Sequence, residues 1–207
     1  MPNPAVLAFV VGALPDPPAR VLEVGAGDGR LAAALRELGH DVVAIDPGGE
    51  APGVRQVALR DVDEPPASFD AAVAVLSLHH VEPLGPSCRR LGELVRPGGT
   101  LAIDEMDVER LDERAARWWL DQRARLGNER DERPADLVSE MRHHLHSFTR
   151  MREALSPWFH AGEPVRGPYL HRWHLAPGLL APEERLIAAG ALPATGARLV
   201  AVRRPVR

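Results

Sequence analysis

The sequence predicts an α/β protein: a mostly parallel sheet with helices on both faces. Three observations predict it. Short apolar runs recur, such as Val42 to Asp46 and Ala71 to Leu76, too short for typical helices and suited to strands buried on both sides. Between them lie stretches with helical spacing, the clearest being Leu31, Ala34, Leu35 and Leu38. The punctuation is short and rich in Gly and Pro, which calls for right-handed crossovers between parallel neighbours.

In chain order, Pro2 and Pro4 precede a helix through Leu14, which Pro15-Asp16-Pro17-Pro18 ends. A first strand, Val21 to Val24, runs into Gly25-Ala26-Gly27-Asp28-Gly29. A helix over Arg30 to Leu38 follows, with Gly39 placed to end it. Val42 to Asp46 is the second strand, Arg55 to Leu59 the third and Ala71 to Leu76 a central fourth. Ser87 is placed to cap a helix that turns Cys88, Leu91, Leu94 and Val95 inward and stops at Pro97-Gly98-Gly99; Thr100 to Glu105 is the fifth strand. Beyond Met106 come two Arg- and Glu-rich amphipathic stretches, 108–126 and 134–155, apolar enough to cover something. Tyr169 to Leu175 reads as a strand, Pro182 to Ala189 as a helix and Ala197 to Arg203 as the last strand.

Composition narrows the function. A chain of 207 residues with formal charge -4 has room for one substantial core and no broad positive field for a nucleic acid. Cys88 is the single cysteine, so an intramolecular disulfide and a four-cysteine zinc site are excluded. All 25 basic residues are Arg, which rules out lysine Schiff-base chemistry and a Walker loop. Ala5 to Leu14 lacks a basic leader and is broken by Gly12, so it reads as a packing helix rather than a signal or membrane span, and a cytoplasmic location is expected.

The glycine turn after the first strand carries the strongest signal. Glycines there let the backbone turn tightly and approach a ligand at a helix N-terminus. A dinucleotide fingerprint needs a glycine at its sixth position, where this chain has Arg30, so a nicotinamide-dependent reductase is disfavoured. Glu23-Val24-Gly25-Ala26-Gly27-Asp28-Gly29 instead resembles the first motif of class I S-adenosylmethionine-dependent methyltransferases. Phe69 through His80 resembles the fourth-strand signature of that family's small-molecule branch (methyltransferase domain 11-like). Leu91 through Leu101 resembles its following helix and turn, so the matches span residues 20–106 in order.

The resemblance implies a Rossmann-like sheet of seven strands, mostly parallel, with the last strand inserted antiparallel between the fifth and sixth. It implies one domain over 1–207: a cofactor-binding half 1–106, a helical lid 107–165, and strands and helix 166–207 completing the sheet. S-adenosylmethionine is the implied cofactor. Glu23, Gly25, Ala26, Gly27 and Gly29 would lie at its methionine end. Asp46, beside Pro47, would accept from the ribose hydroxyls, and Asp61 with Val62 would meet the adenine. Leu76 and Ser77 would close the pocket from the fourth strand. One departure stands out: residues 47–54 are too rich in Gly and Pro for the helix usual between the second and third strands.

On the acceptor side, the fourth strand ends in Leu76-Ser77-Leu78-His79, without the motifs of adenine or cytosine methyltransferases. His79 or His80 can serve as a general base, or can be a structural histidine bonding loop backbone. Asp104 and Glu105 end the fifth strand, where an acid could orient an amine, act as base, or cap the next helix. His143, His144 and His146 are expected to be lid or solvated histidines, with no metal. The expected partner is a small-molecule methyl acceptor, with no nucleic acid and no membrane; no signature fixes an oligomeric state. The competing reading is a protein that binds the cofactor without catalysis.

Overall fold

The computed structural model describes residues 2–205; residues 1, 206 and 207 of the expected domain lie outside the described residues. Its sheet runs β3-β2-β1-β4-β5-β8-β6, with β7 also paired to β8. The strands are β1 (Arg20–Val24), β2 (Asp41–Ile45), β3 (Val54–Arg55), β4 (Phe69–Val75), β5 (Val95–Met106), β6 (Phe159–Ala161), β7 (Val165–Gly167) and β8 (Gly196–Arg203). β1 to β5 pair in parallel, and β8 is antiparallel to β5, β6 and β7. The α/β class and the inserted antiparallel last strand are as expected; the strands number eight rather than seven.

Helices cover both faces. α1 (Pro4–Ala13) and α2 (Arg30–Glu37) pack on one side through Val6, Val10, Leu31 and Leu35 against Val21, Val42 and Val73. α1 begins where the Asn3 side chain accepts from the amides of Ala5 and Val6, and Pro4 suits its first turn. α3 (Leu84–Leu94) and α6 (Phe148–Leu155) cover the other face, burying Cys88, Leu91, Phe148 and Met151 against Leu22, Ala72 and Leu101. α4 (Glu113–Arg125) and α5 (Pro134–His144) form a third apolar cluster above the carboxyl ends of the strands, with Trp119, Leu137, Tyr169 and Leu170. Trp119 stacks on Trp173 at 4.1 Å between ring centroids and donates its indole N–H to the Trp173 carbonyl. α7 (Leu180–Ala188) lies outside, with Glu183 its one buried residue.

Five local expectations need correction. The third strand is only Val54–Arg55; the chain then coils into a 3-10 turn at Leu59–Asp61. α3 starts at Leu84, so Ser87 is a buried residue inside the helix rather than its cap. The stretch 108–126 opens as a 3-10 turn, Val108–Arg110, before α4 begins at Glu113. The stretch 134–155 is broken at 145–147, because His146 turns aside to bond the loop after β4, and α6 belongs to the main core. Tyr169–Leu175 is no strand: it holds a 3-10 turn at Leu170–Arg172 whose amides go to Glu183, and the sheet is completed instead by β6 and β7.

Candidate functional site

The site is built where β1, β2 and β4 end side by side. Beyond Val24 the amides of Gly25 and Ala26 both donate to the Ile45 carbonyl, at 2.9 Å each, which pins the turn against β2. Gly25, Gly27 and Gly29 all have left-handed backbone, with φ of 72°, 50° and 70°. Gly25 is needed for a second reason: a Cβ there would overlap the side chain of Ser77. Across the turn, Asp46 caps β2. Its carboxylate accepts from the Gly27 amide at 2.9 Å and the Gly48 amide at 2.8 Å, leaving further lone pairs toward the cleft.

β4 ends in a forced conformation. Leu76 has a φ of 54°, rare for a branched side chain, and its amide donates to the Asp104 carbonyl at 2.9 Å. The reason lies one strand over. Glu105, fully buried, accepts from the amides of Ser77 at 2.9 Å and Leu78 at 2.7 Å, and from the His79 ring at Nδ1. His79 is buried too, so neither Glu105 nor His79 reaches the open cleft; both hold the turn. The break between α5 and α6 clamps the same loop from above. The His146 amide donates to the His79 carbonyl at 2.9 Å, and its ring lies 3.0 Å from both the Val81 carbonyl and the Glu82 carboxylate.

Two cavities meet at Gly25. The larger, about 420 Å³, is lined by Gly25, Asp46, Pro47, Leu76, Ser77 and His80, all expected at the site. Its far wall is Val57, Ala58 and Leu59. Asp61 is not brought there: its exposed carboxylate pairs with Arg60 at 3.2 Å, while Val62 is buried beneath α3 and its carbonyl accepts from Arg90. Reading 55–59 as a strand set Asp61 just past its end, whereas the strand stops at Arg55 and Asp61 closes a 3-10 turn. The smaller cavity, about 250 Å³, is lined by Glu23, Gly25, Ala26 and Asp28, together with Asn3 and Arg172. Asn3 and Arg172 come from far along the chain, and no local pattern announces them.

Two buried polar atoms on these walls have no partner in the protein: Ser77 Oγ and Glu23 Oε2. Such atoms are costly unless something else satisfies them. Burial pushes the Glu23 carboxyl up to about 7, against the pull of Arg36. His80, facing the larger cavity, is lowered from the usual histidine range by burial and then by the neighbouring His79. A tight glycine cradle, an acid at the end of β2 and a buried carboxylate with one unpartnered oxygen fit a nucleoside that carries an amino acid. Among the described residues no group of three His, Cys, Asp or Glu side chains could hold a metal ion, and no helix is long and apolar enough to cross a membrane.

Residues 4–155 match the family model described as a methyltransferase domain. An uncharacterized methyltransferase of Mycobacterium tuberculosis is 40% identical over 97 residues, covering 40% of this chain and 48% of that protein. A ubiquinone biosynthesis O-methyltransferase of Xanthomonas campestris is 33% identical over 120 residues, covering 51% and 50%. The chain thus spans about half the length of the curated relatives it matches. Among solved structures, the 1,6-didemethyltoxoflavin-N1-methyltransferase of Burkholderia thailandensis, crystallised with S-adenosylhomocysteine, shares the fold. Its TM-score is 0.57 at 20% identity, covering 97% of this chain and 76% of that one. An S-adenosylmethionine-dependent methyltransferase of Mesorhizobium loti gives 0.60 at 17% identity, covering 97% and 96%. By its sequence over residues 4–155, the chain belongs to the methyltransferase-domain family, and its fold is the one those solved methyltransferases share.

Proposed function

We propose that the protein transfers a methyl group from S-adenosylmethionine to an oxygen, nitrogen or sulfur of a small-molecule acceptor, releasing S-adenosylhomocysteine. The observation that carries this reading is the pair of cavities meeting at Gly25, each with an unpartnered buried polar atom on its wall. When bound, the cofactor supplies an activated methyl group on a sulfonium, so the protein's work is alignment, exclusion of water and proton management.

In this reading Asp46 accepts from the ribose hydroxyls, and Leu59 and Ser77 enclose the base and sugar. Glu23 faces the amino-acid end, where an ammonium would draw its carboxyl into the ionised form. His80, rather than His79 or Glu105, is the residue able to take a proton, since it lines the cavity and its lowered pKa keeps it neutral near pH 7. His79 and Glu105 are positioning residues that fix the turn presenting His80. The formal charge of -4 and the absence of a membrane-spanning helix among the described residues favour a small acceptor in the cytoplasm.

The test is release of S-adenosylhomocysteine over a panel of hydroxyl, amine and thiol metabolites. With a competent acceptor, His80→Ala should lower kcat by about 10²–10⁴-fold if the nucleophile must lose a proton. It should leave cofactor affinity within a few fold. The wild-type rate should also fall as pH drops below the ordinary histidine range, where His80 becomes protonated. Tight cofactor binding with no turnover on any acceptor would favour the non-catalytic reading.

A further inference from the structure

A third cavity, about 250 Å³, lies between α1, the start of β8 and the turn at Leu170–Arg172, and shares Asn3 and Arg172 with the cavity beside Glu23. Its lining mixes apolar surface with charged side chains. Arg166 from β7, Arg172 from the turn and Arg198 from β8 converge on it, with Asp104 on its floor and His171 at its side. Buried Asp104 accepts from Arg172 Nη1 at 2.6 Å and from Arg198 Nε at 2.9 Å, and buried Asp107 accepts from Arg166. These three guanidiniums face two buried aspartates, and with Glu184 on the rim the formal charges of the site balance before a ligand enters. The carboxylate of Glu184, on an exposed residue of α7, also lines the cavity.

Each arginine is held in the same way. One nitrogen bonds an aspartate, and the guanidinium carbon lies over a ring: Arg172 over Tyr169 at 5.7 Å, Arg198 over Phe9 at 5.2 Å and Arg166 over Phe148 at 5.0 Å. A guanidinium so fixed keeps other N–H donors in a planar fork. His171 is oriented as well, its Nδ1 lying 2.8 Å from the buried Glu183 carboxylate, which leaves Nε2 as its free ring nitrogen. Three cations from three elements, each immobilised, make a site prepared for a planar anion at the edge of the amino-acid end of the cofactor cleft.

We infer that this cavity anchors the methyl acceptor and that the acceptor carries a carboxylate, received by the Arg166, Arg172 and Arg198 forks. The inference rests on the methyl-transfer reading, which supplies the acceptor. The carboxylate is an anchor and takes no part in bond making; Glu184 on the rim disfavours a second negative charge on the same molecule.

The test uses the full chain saturated with S-adenosylhomocysteine, titrated by calorimetry and by amide NMR with benzoate, acetate, benzamide and phenyl phosphate. The expected result is that benzoate shifts the amides of residues 166–172 and 196–198, while benzamide binds at least about tenfold more weakly. Arg198→Met and Arg166→Met should each weaken benzoate by about tenfold. S-adenosylhomocysteine affinity should stay within about twofold in both, which shows that each variant is folded and that the cleft is intact. Failure of both carboxylates to bind at about 20 mM, equal binding of benzamide, or a preference for phenyl phosphate would overturn the carboxylate anchor. If S-adenosylhomocysteine itself does not bind, it is the methyl-transfer reading that fails.

Discussion

The molecule uses one device twice. At the end of β4, Ser77-Leu78-His79 forms a tight turn whose first two amides and histidine Nδ1 go to buried Glu105. At the far side, Tyr169-Leu170-His171 does the same with buried Glu183, which accepts three amides at 2.7, 2.9 and 2.8 Å and the His171 ring. The backbone entering each 3-10 turn is alike, with φ and ψ of -131° and -42° at Ser77 and -141° and -37° at Tyr169. The difference is where the carboxylate comes from. Glu105 belongs to the central strand β5, so its turn is welded to the core and borders the larger cavity. Glu183 belongs to α7, of which it is the one buried residue, so turn and helix hold each other and border the arginine-lined cavity. The same geometry thus makes a rigid wall in one place and a detachable one in the other.

The largest effect that could break this comparison is expected for Glu105→Leu. It strands two buried amides and a histidine, and should cost about 3–5 kcal/mol of global stability in chemical denaturation. A loss under about 1 kcal/mol would show that the turn is held by other contacts. Glu183→Leu strands three amides, and its expected cost of about 2–4 kcal/mol should appear mainly as local opening. Hydrogen exchange should rise over 168–190 while β1, β2 and β4 stay protected. Uniform loss of protection would contradict the detachable character of that wall.

Glu23 sharpens the comparison, because it is a third buried glutamate with the opposite bookkeeping. One of its oxygens has no partner, and its carboxyl is raised to about 7. Glu23→Gln should therefore stabilise the ligand-free protein at pH 8 by about 1–2 kcal/mol while weakening cofactor binding by about tenfold. The pH sign is set by that raised value. Between the unfolded value of 4.5 and about 7 the folded state binds more protons, so the ligand-free protein gains stability from this group as pH falls through that window. Cofactor affinity should fall over the same range, and Glu23→Gln should flatten both slopes. A cofactor affinity unchanged between pH 8 and pH 5.5 would place the ammonium elsewhere.

The smallest effect concerns Glu183. Burial raises its carboxyl, but the His171 bond and three backbone amides outweigh that and hold it below the ordinary range. Its stabilisation is therefore present above the unfolded value and is lost as pH falls through the lower folded one. Amide NMR should show 169–172 still ordered at pH 5 and opening only below about pH 4. Opening already at pH 5 would mean the carboxylate is not held as described.

These comparisons also show what could be read from the chain itself. The β1 turn, α2, Asp46, β4 and the extent of the last strand were legible because each is a local pattern: apolar runs, glycines at fixed offsets, one amphipathic period; the last strand's antiparallel insertion came only from the family resemblance. Asp61 was misplaced because Arg55 to Leu59 has strand composition, yet only Val54 and Arg55 pair with β2. Tyr169 to Leu175 was misread for a related reason: its apolar residues pack into the cluster with α4 and α5, and its amides are claimed by a glutamate 12 to 14 residues ahead. β6 and β7, at three residues each, are too short to show a period. The arginine cluster joins partners separated by 59, 68 and 94 residues, beyond any local signal.

The central claim is that the cleft at Gly25 holds the cofactor with Asp46 on its ribose. Calorimetric titration of the wild type and Asp46→Asn with S-adenosylhomocysteine tests it most directly; the Asn variant can keep one of the two backbone bonds that steady the turn. The expected result is one site per chain in the wild type and affinity weakened about tenfold to a hundredfold in the variant, with the fold intact by circular dichroism. No binding to the wild type at saturating ligand, or equal binding by the variant, would contradict it.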